Sequence, residues 1–141
     1  MKKFFAILVT MAILVSSVCI ALPSSAANKT ADYKVTAETD YAAKKVSVKV
    51  EITENPGLSM AMIDLTYNSD AYTCTKAEAG TVWSGDIEVK SDVAGMVIFY
   101  AVPDSLDTVV SGTGVVFTAE FALKDGADEA APYNFALIYG D

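Results

Sequence analysis

From Tyr33 onward the chain alternates apolar and polar residues with a period of two, which is how a β-strand turns successive side chains to opposite faces. Lys44 to Thr53 is the clearest case: Val46, Val48, Val50 and Ile52 fall on one side, Lys45, Ser47, Lys49 and Glu51 on the other. That predicts a strand with one face on a core and one in water. Gly114 to Leu123 repeats the pattern, with Val115, Phe117, Ala119 and Phe121 against Val116, Thr118, Glu120 and Ala122. Further strands are expected at Tyr33–Glu38, Ala71–Ala79 (Tyr72 and Cys74 inward), Ile87–Ser91, Met96–Val102 and Tyr133–Tyr139. Turn residues separate them, Gly80–Asp86 is a loop carrying Trp83, and Pro103–Thr113 is the longest irregular segment. About eight strands with turn signals at roughly ten-residue intervals predict an all-β antiparallel sandwich, and no amphipathic helix competes with it.

One stretch departs from the simple pattern. Asn55-Pro56-Gly57 predicts a type II turn, because Pro56 presets φ and Gly57 accepts the positive φ that follows. The strand after it puts Ala61, Ile63, Leu65 and Tyr67 on one face and Met60, Met62, Asp64 and Thr66 on the other. The first set reads as core. The second combines two flexible apolar side chains with a carboxylate, and methionine suits adaptable contact surfaces. Two readings stay open: a face kept for a partner, or a central strand whose second face lies under a loop. In Met96–Val102 the same alternation turns Val97, Phe99 and Ala101 inward and Met96, Ile98 and Tyr100 outward.

The amino terminus belongs to a different class of segment. Lys2-Lys3 is basic, Phe4–Leu22 is apolar, and Pro23-Ser24-Ser25-Ala26-Ala27 supplies small residues. That order is the build of a secretory signal, with cleavage expected after Ala26 or Ala27. The apolar run is also long enough for a membrane anchor. Val18 before Cys19 fits a lipoprotein site poorly. Removal of residues 1–27 from 141 leaves a 114-residue chain, enough for one domain with its own core.

Charge and composition then exclude several functions. The mature part has eight lysines against eighteen acids, with no arginine and no histidine. A basic face for nucleic acid cannot be built from these. Cys74 is the single cysteine of the mature part, so no internal disulfide is expected and a buried, inert thiol is its ordinary role. Without histidine it has no base to activate it. Glycoside hydrolysis needs two carboxylates about 5–10 Å apart across a cleft, and a compact sandwich of this length has no long loops to form one. Asp125-Gly126-Ala127-Asp128-Glu129 offers oxygen ligands but not the spacing of a calcium-binding hand, and reads as a solvated turn. No metal, cofactor or catalytic residue is expected. Carbohydrate binding is the alternative: Trp83, Tyr100, Tyr133 and Tyr139 are the aromatics on which sugar rings would stack.

The order of features carries a resemblance. A Val-rich strand leads into Asn55-Pro56-Gly57-Leu58. Ile63-Asp64-Leu65-Thr66-Tyr67-Asn68 follows, then Ala79-Gly80, Gly95-Met96-Val97-Ile98-Phe99-Tyr100, and Gly114-Val115-Val116-Phe117 through Phe121-Ala122-Leu123-Lys124. From about Tyr33 to Asp141 this resembles a cohesin domain, the receptor module of bacterial cellulosomes. The resemblance implies a nine-stranded jelly-roll sandwich that shares its fold with some cellulose-binding modules. It implies a non-catalytic scaffold module that binds dockerins on plant-polysaccharide-degrading enzymes or on other scaffold proteins, with calcium held by the dockerin. The partner sheet it implies consists of strands 8, 3, 6 and 5. The third and sixth strands then lie side by side, so that Met60, Met62, Asp64, Met96, Ile98 and Tyr100 form one face with Asp104 and Ser105 at its rim. A ninth strand has no counterpart after Tyr133–Tyr139, so an unpaired edge is expected on the first strand. The expected location is extracellular, with any attachment to a cell surface supplied by a partner.

Overall fold

The computed structural model describes the strand Ser16–Cys19 and residues 31–105 and 107–139. Nine strands are found among them: β1 Ser16–Cys19, β2 Asp32–Asp40, β3 Lys45–Glu54, β4 Ala61–Thr66, β5 Tyr72–Ala79, β6 Asp86–Lys90, β7 Met96–Val102, β8 Gly114–Leu123 and β9 Ala136–Tyr139. They form a five-stranded sheet in the order β1-β2-β3-β8-β5 and a four-stranded sheet in the order β6-β7-β4-β9, with every pairing antiparallel. This is the expected all-β sandwich of jelly-roll type, two sheets closed face to face over one core.

The core follows from the alternation. Val46, Val48, Val50 and Ile52 of β3 are at most 2% exposed, as are Phe117, Ala119 and Phe121 of β8. Ile63 and Leu65 of β4 and Val97, Phe99 and Ala101 of β7 meet them from the other sheet with no exposed surface. Each large apolar side chain buried this way contributes about 1.5–3 kcal/mol relative to exposure. Phe99 and Phe117 stack across the sandwich at 5.7 Å, and Trp83 meets Phe99 edge-on at 5.9 Å.

Two bulges alter the expected faces. In β8 the register against β3 shifts between Val50 and Glu51, so Val50 faces Phe117 while Glu51 faces Val115. Val116 is the extra residue, and it enters the core at 1% exposure while Val115 stays half-buried, the reverse of the expected assignment. In β5 the register shifts between Cys74 and Lys76. Tyr72 is buried as expected, but Cys74 is only half-buried, with its thiol donating to the Lys76 carbonyl at 3.4 Å. Burial still pushes the Cys74 thiol above its ordinary pKa, which keeps it protonated and unreactive.

Two glycines are required by geometry. Gly57 takes φ +106°, as the turn after Pro56 demands. Gly80 lies so close to β8 that a Cβ would sit 1.9 Å from the Val115 carbonyl oxygen, so only glycine fits there.

The edge of β2 differs from expectation. Ser16–Cys19 pairs with it antiparallel, Cys19 opposite Lys34 and Ser16 opposite Ala37. In the full-length chain the edge expected to be unpaired is therefore occupied over Lys34–Ala37, because its free N–H and C=O groups accept an extended segment in register; a chain that starts at Ala27 or Asn28 would lack this strand and leave that edge open. The expected cleavage region, residues 23–27, lies outside the described residues.

Candidate docking face

The four-stranded sheet presents its outer face to solvent in cross-strand rows. Met62 of β4 lies opposite Tyr100 of β7, and Tyr100 opposite Glu88 of β6. In the next row Ile138 of β9, Asp64 of β4, Ile98 of β7 and Lys90 of β6 are successive partners. Thr66 closes the series, flanked by Ala136 and Met96. Neighbouring side chains within a row are close enough to form a continuous surface. Met60 stands just before β4 at one end.

Most of this surface is exposed and apolar. Met60 is 53% exposed, Met62 54%, Tyr100 39% and Ile138 57%. Met96 and Ile98 are half-buried against their neighbours. The expected alternative, a loop covering the face, is not what the chain does. Leu58 and Val110 exchange backbone hydrogen bonds at 2.9 Å, and the Asn55 amide donates to the Gly112 carbonyl at 2.9 Å. These bonds fasten the segment after β7 to the entry of β4 and away from the outer surface of β4 and β7. Asp104 and Ser105 are exposed at the end of β7, on the rim.

Asp64 is the polar exception. Its Oδ1 is buried without a hydrogen-bond partner, as are Thr36 Oγ1 and Trp83 Nε1 among the described residues. Lys90, one strand beyond Ile98, is held by Glu88 at 2.9 Å. That hydrogen-bonded pairing raises the Lys90 pKa, so this cation is already engaged.

Sequence reasoning placed Met60, Met62, Asp64, Met96, Ile98 and Tyr100 on one face, and the structure brings them together. It missed Ile138. The signal was present in the alternation Leu137 inward, Ile138 outward, but the last strand is shorter than Tyr133–Tyr139 and its register was hidden. Asn134 takes φ +55°, and Asn68 binds the preceding loop through the Pro132 and Tyr133 carbonyls at 2.9 and 2.8 Å, so pairing starts only at Ala136.

The aromatics proposed for sugar stacking are scattered. Trp83 is 5% exposed and packs on Phe99. Tyr139 packs on Tyr33 at 4.7 Å, and Tyr133 lies between Tyr72 and Phe135 at 5.2 and 5.3 Å. Only Tyr100 of the four stands on an open face. A shallow groove of about 320 Å³ crosses the outer side of the five-stranded sheet, lined by residues including Ser47, Lys49, Lys76, Thr118 and Glu120. It has no aromatic lining, and Lys49 and Lys76 are paired with Glu51 and Glu78 at 3.3 and 2.8 Å. Asp125 to Glu129 is a turn in which the Lys124 carbonyl accepts from Ala127, and Glu129 pairs with Lys44 at 2.8 Å.

No protein-family model matches the chain, and no curated protein does. Solved structures do. The sixth cohesin of scaffoldin B from Acetivibrio cellulolyticus, solved in complex with a Cel5 dockerin mutant, superposes with a TM-score of 0.59 at 18% identity, over 70% of this chain and 77% of that one. The third cohesin of ScaC from the same organism, in complex with the ScaB dockerin, gives 0.59 at 20% identity over 68% and 71%. The seventh ScaB type I cohesin of Pseudobacteroides cellulosolvens gives 0.56 at 19% identity over 70% and 66%. The chain has the cohesin fold. Its four-stranded sheet holds β4 and β7 side by side, with β9 and β6 on their flanks, which is the 8-3-6-5 order of the cohesin fold when strands are counted from β2.

Proposed function

We propose that this chain is a non-catalytic extracellular adaptor module whose β6-β7-β4-β9 sheet binds the dockerin of a polysaccharide-degrading enzyme or of another scaffold protein. The observation that carries this is the exposed apolar face of Met60, Met62, Tyr100 and Ile138 on that sheet. Contiguous apolar surface of this kind on a folded domain marks an interaction site. Two solved structures of the same fold, those of the scaffoldin B and ScaC cohesins, are complexes with dockerins. The scattered aromatics favour a protein partner over a sugar chain.

The test is a pair of pull-downs on the domain. Isolated dockerins, among them the Cel5 and ScaB dockerins, should be captured with calcium present and released by a chelator, since the calcium belongs to the dockerin. The domain alone should pass through insoluble cellulose. Retention on cellulose with no capture of any dockerin would reverse the reading.

Export goes with this function. The basic, apolar and small-residue order of residues 1–27 supports a cleaved secretory signal. Mass spectrometry of secreted material should show an amino terminus at Ala27 or Asn28. Recovery of the chain in a membrane fraction with Met1 retained would favour an anchor instead.

A further inference from the structure

Removal of the signal uncovers a strand edge that can pair with itself. β2 runs in regular register against β3 from Tyr33 to Asp40, with a shift only between Asp32 and Tyr33. It contains no proline and no glycine, two of the features that blunt an edge. In the full-length chain Ser16–Cys19 lies antiparallel along its outer side, and β2 stays regular beneath it. Cleavage after Ala26 or Ala27 takes that neighbour away. The backbone N–H and C=O groups on that side then need another partner.

The side chains specify which strand fits. Tyr33, Val35 and Ala37 enter the core, while Lys34, Thr36 and Glu38 lie on the other face of the strand. When β2 is laid antiparallel on a second copy of itself about Thr36, Lys34 of each chain stands opposite Glu38 of the other, so the attraction is made twice. Thr36 meets Thr36, a favourable cross-strand pair. On the core side Val35 meets Ala37, so apolar faces apolar. The like charges Asp32 and Asp40 meet only at the two exposed ends. Neither Lys34 nor Glu38 belongs to an ion pair among the described residues. Centring the pair on Val35 instead sets Asp32 against Glu38 and gives Lys34 no carboxylate.

We infer that the processed chain forms a two-fold dimer by antiparallel pairing of β2 with β2, centred on Thr36. This rests on the signal cleavage proposed above and is independent of the dockerin reading. The strands β5-β8-β3-β2 of each copy become one continuous sheet. A two-fold axis perpendicular to that sheet keeps both β6-β7-β4-β9 sheets on the same side of it. Both docking faces stay open, so the dimer is a bivalent receptor.

The experiment uses secreted chain whose amino terminus is shown by mass spectrometry to be Ala27 or Asn28. Sedimentation equilibrium from about 1 to 100 µM should show the mass rising to twice that of one chain. Lys34→Glu and Glu38→Lys each put like charges opposite one another at two points, and each should weaken self-association about tenfold or more. An equimolar mixture of the two variants should restore it, because every such contact in the mixed dimer joins opposite charges. Melting temperatures of the dilute variants should stay within about 2 °C of the unsubstituted chain. Thr36→Cys, with Cys74→Ser to remove the other thiol, checks the same register without changing charge: the two-fold brings the new thiols within disulfide reach, and oxidation should give a covalent dimer. A processed chain that stays monomeric overturns the inference and leaves the export reading standing. A dimer that neither charge variant weakens, or that Thr36→Cys does not cross-link, also overturns it, since the copies then meet elsewhere. Secreted material that retains residues 1–27 defeats both readings.

Discussion

Phe99→Ala should destabilise the domain by about 3–5 kcal/mol, the range for truncating a fully buried phenylalanine. Phe99 has no exposed surface, stacks on Phe117 from the opposite sheet and receives the edge of Trp83, so the vacated volume is bounded on two sides by rigid rings. Such rings cannot collapse into the space, and the aromatic pairs contribute beyond their buried area. A domain of this size has only about 5–15 kcal/mol in total. The loss should appear in a urea titration as a large fall in midpoint with an unchanged slope. A change below about 1 kcal/mol would mean that Phe99 does not sit at the centre of the core.

The neighbouring position should behave in the opposite way. Tyr100→Ala and Met62→Asp should each weaken dockerin binding about tenfold or more while leaving stability within about 0.5 kcal/mol. Tyr100 and Met62 are direct cross-strand partners on the open side of the sheet, so truncating either removes contact area from the partner and little from the core. The tyrosine ring has few internal degrees of freedom to lose on binding, which makes it an effective anchor. Met62→Asp replaces an apolar contact with a carboxylate that must lose its water when the partner covers it. Binding constants by calorimetry, with melting curves on the same samples, separate the two effects. If both substitutions unfold the domain, these side chains belong to the core and the faces are assigned wrongly.

The contrast between positions 99 and 100 shows what was legible in the sequence. Two-residue periodicity assigns a face to every residue of a regular strand. Ile63, Leu65, Val97, Phe99 and Ala101 were therefore readable as core, and Met62, Ile98 and Tyr100 as the opposite surface. Periodicity fails where the count of residues between partners changes. Val116 reached the core in place of Val115 because β8 carries an extra residue against β3. Cys74 fell half out because β5 carries one against β8. Neither bulge has a marker in the local sequence, since it depends on how two distant strands come into register.

The sequence by itself determined the class of structure and most of its faces: alternation fixes strands and turn residues bound them. The tertiary structure decided which faces meet. It placed Ile138 next to Asp64 across seventy-four positions of chain. It buried Trp83 on Phe99 instead of showing it to a sugar. It tied the segment around Val110 to Leu58, leaving the methionines open, and it left the Asp64 carboxylate without a partner. Each of these follows from pairing between segments far apart in sequence. Such pairing is settled by the joint burial of both partners, so neither segment alone carries the information.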